Sequence, residues 1–282
     1  MNDRSRSTKM DTSGPSAEVA RRKRTPCESI DSAARARLIR LLTAMRPERS
    51  AGGFPRDDGT IEFYTRVNAL LNHNMTLLNY GAGRGAPFDV PDPGLHQALQ
   101  QFQNRVAKVI GVDIDEGIHD HPYLDERHVI RANEQLPIPS GTIDIVIADW
   151  VVEHLESPAQ WVGEMERVLV RSGWLCARTV NRWGYVGFGA RLLPNWLHAR
   201  LVSKLIPVAR SVDVFPTVYR LNSLADLKRW FSTDVWENCS YLVNSTPRYF
   251  GDSRLLFRAI ELYQKIVPYH FRTDLFMFMR RR

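Results

Sequence analysis

The sequence has few cysteines and no long hydrophobic run, and these absences exclude several classes of protein. Only Cys27, Cys176 and Cys239 are present among 282 residues, each more than sixty residues from the next. This spacing fits neither a zinc-ligand pair nor a disulfide framework, so we expect a reducing, cytoplasmic location and no metal site. No apolar run approaches the roughly 18 residues of a membrane-spanning helix, and the N-terminus lacks the apolar segment of a secretory signal.

Excess positive charge is also missing from most of the chain, although the formal net charge is +7. The first 30 residues carry seven Lys or Arg against four Asp or Glu, and the chain ends in three arginines. The remaining body is close to neutral, which disfavours a nucleic-acid partner because phosphate binding needs clustered positive charge. We interpret residues 1–30 as a disordered basic arm without apolar periodicity, and residues 31–282 as one folded domain.

Hydrophobic periodicity predicts an α/β fold. Two amphipathic helical segments come first, at 31–47 and 62–74. Short apolar strands then alternate with helical stretches, which is typical of a doubly wound, mostly parallel sheet. A helix should follow the N-cap Ser157 and Pro158 and end at Gly173. Residues 181–222 interrupt the alternation and are predicted to form an inserted cap. The predicted strands are 76–80, 108–113, 128–132, 143–149 and 174–180, with two more in the last third of the chain.

The first strand ends in the glycine-rich stretch NYGAGRGAP, with glycines at 81, 83 and 85. Glycines directly after a strand let the backbone approach a ligand, and a following helix N-terminus favours an anion. The second strand closes with Asp113, whose carboxylate can accept hydrogen bonds from two ribose hydroxyls. A dinucleotide site remains open because Gly81, Gly83 and Ala86 also fit that fingerprint, and so does a loop that simply turns the strand.

The stretch RANEQLPIPSGTIDIVIADWVVEHLESPAQWVGEMERVLVRSGWLCARTVN, residues 131–181, favours one class over the others. With its LP turn, DIV strand, VxEHL segment and RVL helix after a glycine loop and an acidic residue, the chain resembles the class I S-adenosylmethionine-dependent methyltransferases. The resemblance is closest to their small-molecule branch and covers residues 74–181. It implies a Rossmann-like seven-stranded sheet whose last strand is antiparallel, with S-adenosyl-L-methionine as the cofactor.

The resemblance also implies a set of cofactor-binding residues. The glycine loop would line the methionine end, Asp113 would hold the ribose, Ile114 and Asn133 would contact adenine, and Asp149 would lie near the methionine amine. Two positions that are commonly acidic in the family are Asn79 and Ala132 here. The full predicted set is Asn79, Gly81, Ala82, Gly83, Gly85, Asp113, Ile114, Asn133 and Asp149.

For catalysis, the resemblance places His154 beside the pocket, where an imidazole suits a general base for a hydroxyl acceptor. A structural His holding the loop is the alternative, and Glu153 is interpreted as a solvated neighbour. Aromatic and polar residues of the cap predict an acceptor site for a small molecule or a glycan, with Asn181, Tyr185 and Tyr219 as substrate contacts.

These observations predict a methyltransferase that acts on a small molecule or sugar, at oxygen in preference to nitrogen or carbon. Three alternatives remain: a noncatalytic binding or assembly factor that keeps the fold, a nicotinamide oxidoreductase, and an enzyme for a lipid-linked substrate. The last follows from the amphipathic stretch around Leu197, Leu201 and Leu205, which is typical of peripheral membrane contact.

Overall fold

The computed structural model describes residues 26–85, 94–192 and 217–282. Two helices, α1 and α2, precede the sheet, and five more lie between or after its strands. The α-helices are α1 (Pro26–Met45), α2 (Gly59–Leu70), α3 (Gly94–Gln100), α4 (Pro158–Val168), α5 (Tyr185–Leu192), α6 (Leu224–Trp230) and α7 (Arg254–Ile266). The strands are β1 (Thr76–Tyr80), β2 (Lys108–Asp113), β3 (Glu126–Val129), β4 (Ile143–Asp149), β5 (Leu169–Val180), β6 (Trp236–Asn238), β7 (Tyr241–Val243) and β8 (Asp274–Arg281).

All described strands belong to one sheet in the order β3-β2-β1-β4-β5-β8-β6, and β7 also pairs with β8. Strands β1 to β5 are parallel, whereas β8 runs antiparallel to β5. The order reverses between β1 and β4, which is the point where open α/β sheets form ligand crevices. The predicted doubly wound sheet with an antiparallel last strand is therefore confirmed.

One strand predicted at the end of the chain is divided into β6 and β7. Both pair with β8, so the eight strands occupy seven positions in the sheet. Between them, the Cys239 N–H donates to the Phe278 carbonyl at 2.8 Å, and the Phe278 N–H donates to the Ser240 hydroxyl at 3.1 Å. This side-chain acceptor replaces a backbone carbonyl and interrupts the ladder.

The core consists of two layers, one on each face of the sheet. Neighbouring residues of β1 enter different layers, because side chains alternate across a strand. Leu77 packs in a cluster with Phe63 of α2, and Leu78 packs in a cluster with Trp161 and Met165 of α4. Helices thus cover both faces, as the wholly apolar strands require.

Several predicted boundaries differ from the structure. Helix α1 begins at Pro26, inside the segment interpreted as an arm, and residues 1–25 lie outside the described residues. Helix α4 begins at Pro158 directly after Ser157 as predicted, although the Ser157 side chain makes no capping hydrogen bond. It ends at Val168, just before β5, and not at Gly173. A Cβ on Gly173 would lie 2.9 Å from the Val170 carbonyl oxygen, so close backbone packing within β5 explains this glycine.

Two predicted features fall partly outside the described residues. The segment 86–93 separates the glycine turn from α3, so a helix N-terminus directly after the glycines is not described. Of the predicted cap, α5 and residues 217–222 are described, whereas the amphipathic stretch around Leu197 lies outside. None of the described helices has the length and apolar character needed to cross a membrane.

Candidate cofactor and acceptor site

A cleft of about 890 Å³ opens at the carboxyl ends of β1, β2 and β4. This position follows from the reversal of strand order, because connections leave in opposite directions on the two sides of it. Its volume lies in the upper part of the range for small-molecule and cofactor sites. The cleft is lined by all the predicted cofactor residues, namely Asn79, Gly81, Ala82, Gly83, Gly85, Asp113, Ile114, Asn133 and Asp149, together with His154.

The glycine turn forms one wall of the cleft. Gly81, Gly83 and Gly85 have φ angles of 73°, 59° and 57°, in the left-handed region that favours glycine. A Cβ on Gly81 would lie 2.3 Å from a methyl of Val151, and one on Gly85 would lie 2.8 Å from the His121 ring. A Cβ on Gly83 would meet no described atom within 4 Å. Two of the glycines are therefore needed for packing, and the third leaves its backbone bare towards the cleft.

Asp113 stands opposite this turn, at the last position of β2. One carboxylate oxygen, Oδ2, accepts the Gly83 N–H at 2.7 Å, and Oδ1 accepts the Asp115 N–H at 2.8 Å. Each oxygen has a second lone pair available for a ligand. The next residue, Ile114, is 53% exposed beside the cleft. The Asp113 carboxylate, the bare main chain at Gly83 and the apolar side chain of Ile114 thus lie together at one end of the cleft.

Asn133 and Asn79 lie on other parts of the cleft wall. Asn133 has a φ of 61°, and its backbone carbonyl accepts a hydrogen bond from the Gln160 side-chain amide. Asn79 is in β1, in register between Gly111 and Ile147 of the neighbouring strands. Asparagine at this position retains hydrogen-bonding groups without charge, so it does not supply the negative charge that the family commonly has there.

Asp149 lines the cleft, but its carboxylate is already held by two buried partners. Arg178 donates to both oxygens, through Nε to Oδ1 and through Nη2 to Oδ2 at 2.9 Å, and the Tyr64 hydroxyl donates to Oδ2 at 2.8 Å. Burial and the nearby carboxylate raise the pKa of Tyr64 well above its usual value. Burial by itself lowers the pKa of Arg178, but the Asp149 carboxylate outweighs this and raises it. Asp149 thus has a structural role that the sequence analysis did not include.

His154 ends the short 3₁₀ turn Val152–His154 that follows β4, and it borders the cleft. Its neighbour Glu153 is buried, so the interpretation of Glu153 as a solvated residue is wrong. The Glu153 carboxylate accepts the Thr179 hydroxyl at 2.7 Å, and its backbone carbonyl accepts the N–H groups of Val218 and Tyr219. Burial raises the pKa of Glu153. This residue therefore joins the His154 turn to β5 and to the end of the predicted cap.

The three predicted acceptor residues, Asn181, Tyr185 and Tyr219, are not among the residues that line the cleft. Asn181 is fully buried and donates to the backbone carbonyl of His270 at 2.9 Å. The Tyr185 hydroxyl bonds to the backbone of Arg248, donating at 3.1 Å and accepting at 3.0 Å. Tyr219 is buried in a small cluster with Tyr185. None of the three borders this cleft, and their contact with a substrate stays a prediction.

Trp150 is a cleft residue that the sequence analysis did not single out. It has a φ of 56°, and the guanidinium carbons of Arg178 and Arg248 lie 5.1 and 4.5 Å from its ring. Its position directly after β4 could have predicted that Trp150 lines the cleft, since this strand end faces the crevice. Nothing local predicts Arg248, which is 98 residues away in sequence.

His121 is a second cleft residue of this kind. Its ring packs under Gly85, and Nδ1 accepts the Tyr123 N–H at 3.1 Å. Burial and the charge of Arg127 lower the pKa of His121 to about 4. The ring is therefore neutral at physiological pH and serves as an uncharged wall of the glycine turn.

Comparison with known proteins finds similarity to methyltransferases. Residues 93–177 match the sequence model of a family described as "Methyltransferase domain". A probable S-adenosylmethionine-dependent methyltransferase of Mycolicibacterium smegmatis is 40% identical over 143 residues, which is 48% of this chain and 51% of that protein. Another, from Mycobacterium tuberculosis, is 40% identical over 78 residues, 27% of this chain and 28% of that one. The matches thus span about half or less of these two relatives.

Among solved structures, a geranyl diphosphate C-methyltransferase of Streptomyces coelicolor has a TM-score of 0.48 and 14% identity, over 89% of this chain and 84% of that one. The sheet order, the family match and the curated relatives agree in showing that the chain is similar to the class I S-adenosylmethionine-dependent methyltransferases.

The residues present fit the cofactor of this family. A ribose needs a carboxylate acceptor, which Asp113 provides, and a close approach of the ligand needs a position without a side chain, which Gly83 provides. Ile114 offers an apolar contact for a purine ring. Within the described ranges, no three His, Cys, Asp or Glu side chains are grouped so that they could hold a metal ion.

Proposed function

We propose that this protein transfers the methyl group of S-adenosyl-L-methionine to a small molecule or a sugar. The observation that carries the proposal is the Asp113 carboxylate facing the bare backbone at Gly83 across one end of the cleft, with a Gly83 N–H to Asp113 distance of 2.7 Å. This pairing suits an adenosyl ligand whose ribose hydroxyls need a paired acceptor.

The sulfonium donor supplies an activated methyl group, so the work left for the chain is to orient the acceptor and exclude water. The cleft has space beyond the glycine turn, towards Trp150 and His154. Aromatic surface combined with a few polar groups supports an acceptor that is a partly apolar small molecule or a glycan ring.

We further propose that the acceptor atom is a hydroxyl oxygen and that His154 removes its proton. A hydroxyl needs a base for transfer, and the imidazole of His154 borders the cleft. The buried Glu153 supports this role as a positioning residue, because its bonds to Thr179 and to the backbone at 218–219 hold the adjacent turn.

Calorimetry with S-adenosylhomocysteine tests the donor site. Asp113→Asn should weaken binding at least tenfold, because hydrogen bonds to a charged group contribute about 1.5–3 kcal/mol. Asp120→Asn is the matched control, since it removes the same charge from an exposed residue that does not line the cleft. No binding by the unaltered protein, or equal affinity of both variants, would contradict the proposal.

Incubation with labelled methyl donor and a fractionated cell extract tests the acceptor class. Label should enter the small-molecule or glycan fraction, and His154→Gln should lower transfer by about 10²–10⁴ with donor affinity unchanged. Label found in protein or nucleic acid would overturn the acceptor assignment. Donor binding without any label transfer would favour the noncatalytic alternative, which Asn79 and Ala132 support because they replace commonly acidic positions.

A further inference from the structure

Helix α7 presents two apolar faces, of which only one is covered. Its inner face is fixed by Phe257, which is fully buried, and by Glu261, which pairs with Arg46 of the α1 end at 2.7 Å. On the outer face, Leu255, Leu262 and Ile266 are 82%, 61% and 73% exposed. We call these three side chains the outer stripe.

The outer stripe is continuous because its members are seven and four residues apart. At 3.6 residues per turn, such positions fall within one narrow sector of a helix. Single exposed leucines are ordinary, but aligned branched aliphatic side chains over three turns form a patch that is characteristic of an interaction site. The inner face already accounts for the packing of α7, so the fold does not require this second apolar sector.

Basic residues flank the outer stripe on one side. Arg254, Arg258 and Lys265 are exposed, and the helical angle places all three along the same edge. Arg258 pairs with Glu261 at 2.7 Å, whereas Arg254 and Lys265 have no ion-pair partner among the described residues. The acidic residue of α7, Glu261, is buried, so the exposed face of this helix carries positive charge alone.

We propose that the outer stripe of α7 docks onto an anionic lipid surface. A helix with aliphatic residues on one sector and Arg or Lys beside it lies in the membrane interface, with the aliphatic residues among acyl chains and the basic residues at the headgroups. Antiparallel pairing with a second copy fits less well, because it would place the two basic edges against each other. The proposal concerns a surface outside the cleft and does not depend on the proposed function.

The position of α7 in the fold is consistent with this docking. After Ile266, the turn Tyr269–Phe271 leads directly to Asp274, which pairs with Val180 at the carboxyl end of β5. The C-terminal end of α7 therefore lies at the edge of the sheet from which the cleft opens. Tyr269 and Phe271 are also exposed there, and aromatic residues are favoured at a membrane interface.

Vesicle co-sedimentation of the full chain tests the proposal. Vesicles of phosphatidylcholine with one third phosphatidylglycerol should bind the protein, and vesicles of phosphatidylcholine alone should bind it at least tenfold more weakly. The preference should shrink at high salt, because the basic edge acts through screened charge. Equal sedimentation with and without vesicles of either kind would overturn the proposal.

Substitutions separate the two contributions. Leu262→Gln with Ile266→Gln should reduce binding to anionic vesicles at least tenfold, and Leu95→Gln, at an exposed leucine of α3, should have no effect. Arg254→Gln with Lys265→Gln should reduce binding to anionic vesicles by about fivefold per charge while leaving the weaker binding to neutral vesicles unchanged.

Far-UV circular dichroism and S-adenosylhomocysteine affinity should be the same in all these variants, which shows that the fold and the cleft are intact. Sedimentation velocity distinguishes a competing occupant. A dimer that dissociates in the Leu262→Gln, Ile266→Gln variant would identify the stripe as an interface between two copies and overturn the lipid assignment.

Discussion

Replacing Arg178 with methionine should destabilise the protein strongly, because it leaves the partly buried Asp149 carboxylate without its main partner. In the native structure, Arg178 bonds to both Asp149 oxygens, and its Nη1 donates to the Thr60 hydroxyl at 2.8 Å. The side chain of Arg178 is 6% exposed and that of Asp149 is 18% exposed. Removing one partner of a buried ion pair costs about 3–5 kcal/mol. We expect a loss of this size in the free energy of unfolding.

Urea denaturation followed by circular dichroism measures this loss, with the m-value as a check that the transition is unchanged. Asp149→Asn in the Arg178→Met background should recover part of the stability, since it removes the unpaired charge. The interaction free energy between the two positions in a double-mutant cycle should be about 0.5–3 kcal/mol. The matched control is Arg280→Met. This exposed arginine approaches Glu237 only to 3.9 Å, so its loss should cost less than about 1 kcal/mol.

Two results would refute this account of Asp149. One is a cost of Arg178→Met no larger than that of Arg280→Met. The other is a double variant no more stable than Arg178→Met alone, because this would mean that Asp149 is not held as a charge by Arg178.

Three further predictions concern the cleft walls and the turn beside them. Gly81→Ala should lower the free energy of unfolding by about 1–3 kcal/mol, because its Cβ would meet Val151 at 2.3 Å. Gly83→Ala should instead lower the free energy of S-adenosylhomocysteine binding more than the free energy of unfolding. Equal losses in the two free energies would contradict this. The pKa of His121 is about 4 in the folded protein and 6.5 in its ordinary state. The free energy of unfolding should therefore be highest above pH 6.5 and fall by up to about 3 kcal/mol as the pH drops towards 4. In urea titrations, His121→Gln should lose less stability than the unaltered protein over this pH range. The raised pKa of Glu153 gives a pH dependence of the opposite sign. Its contribution to stability is full below the ordinary pKa of 4.5 and is lost as the pH rises through the folded pKa. Glu153→Gln should therefore match the stability of the unaltered protein in acid and exceed it at about pH 8. A Glu153→Gln variant without this gain would argue against a desolvated carboxylate.

Local patterns in the sequence were sufficient for the sheet and for one wall of the cleft. Apolar strands separated by helical stretches predict a sheet covered on both faces, since side-chain periodicity depends on the neighbouring residues alone. The start of α4 at Pro158 was predicted for the same reason, because the fixed φ of proline favours the first helical position within a single turn. Gly81 and Asp113 were placed at strand ends, and parallel strands bring their carboxyl ends to one edge.

The surroundings of the site were decided by contacts between distant segments. Asp149 is paired by Arg178 and Tyr64, which are 29 and 85 residues away, and no spacing rule connects such positions. Burial of Glu153 likewise depends on β5 and on residues 218–219 closing over it, whereas its sequence context is typical of an exposed turn.

The same limit applies to the outer stripe of α7. The amphipathic pattern of this segment is set by the sequence alone, because the periodicity of its apolar residues is local. Only the tertiary structure decided which of its apolar side chains became core. Phe257 is covered by the α1 end, and Leu262 is left in solvent, because a helix can bury only the face that its neighbours reach.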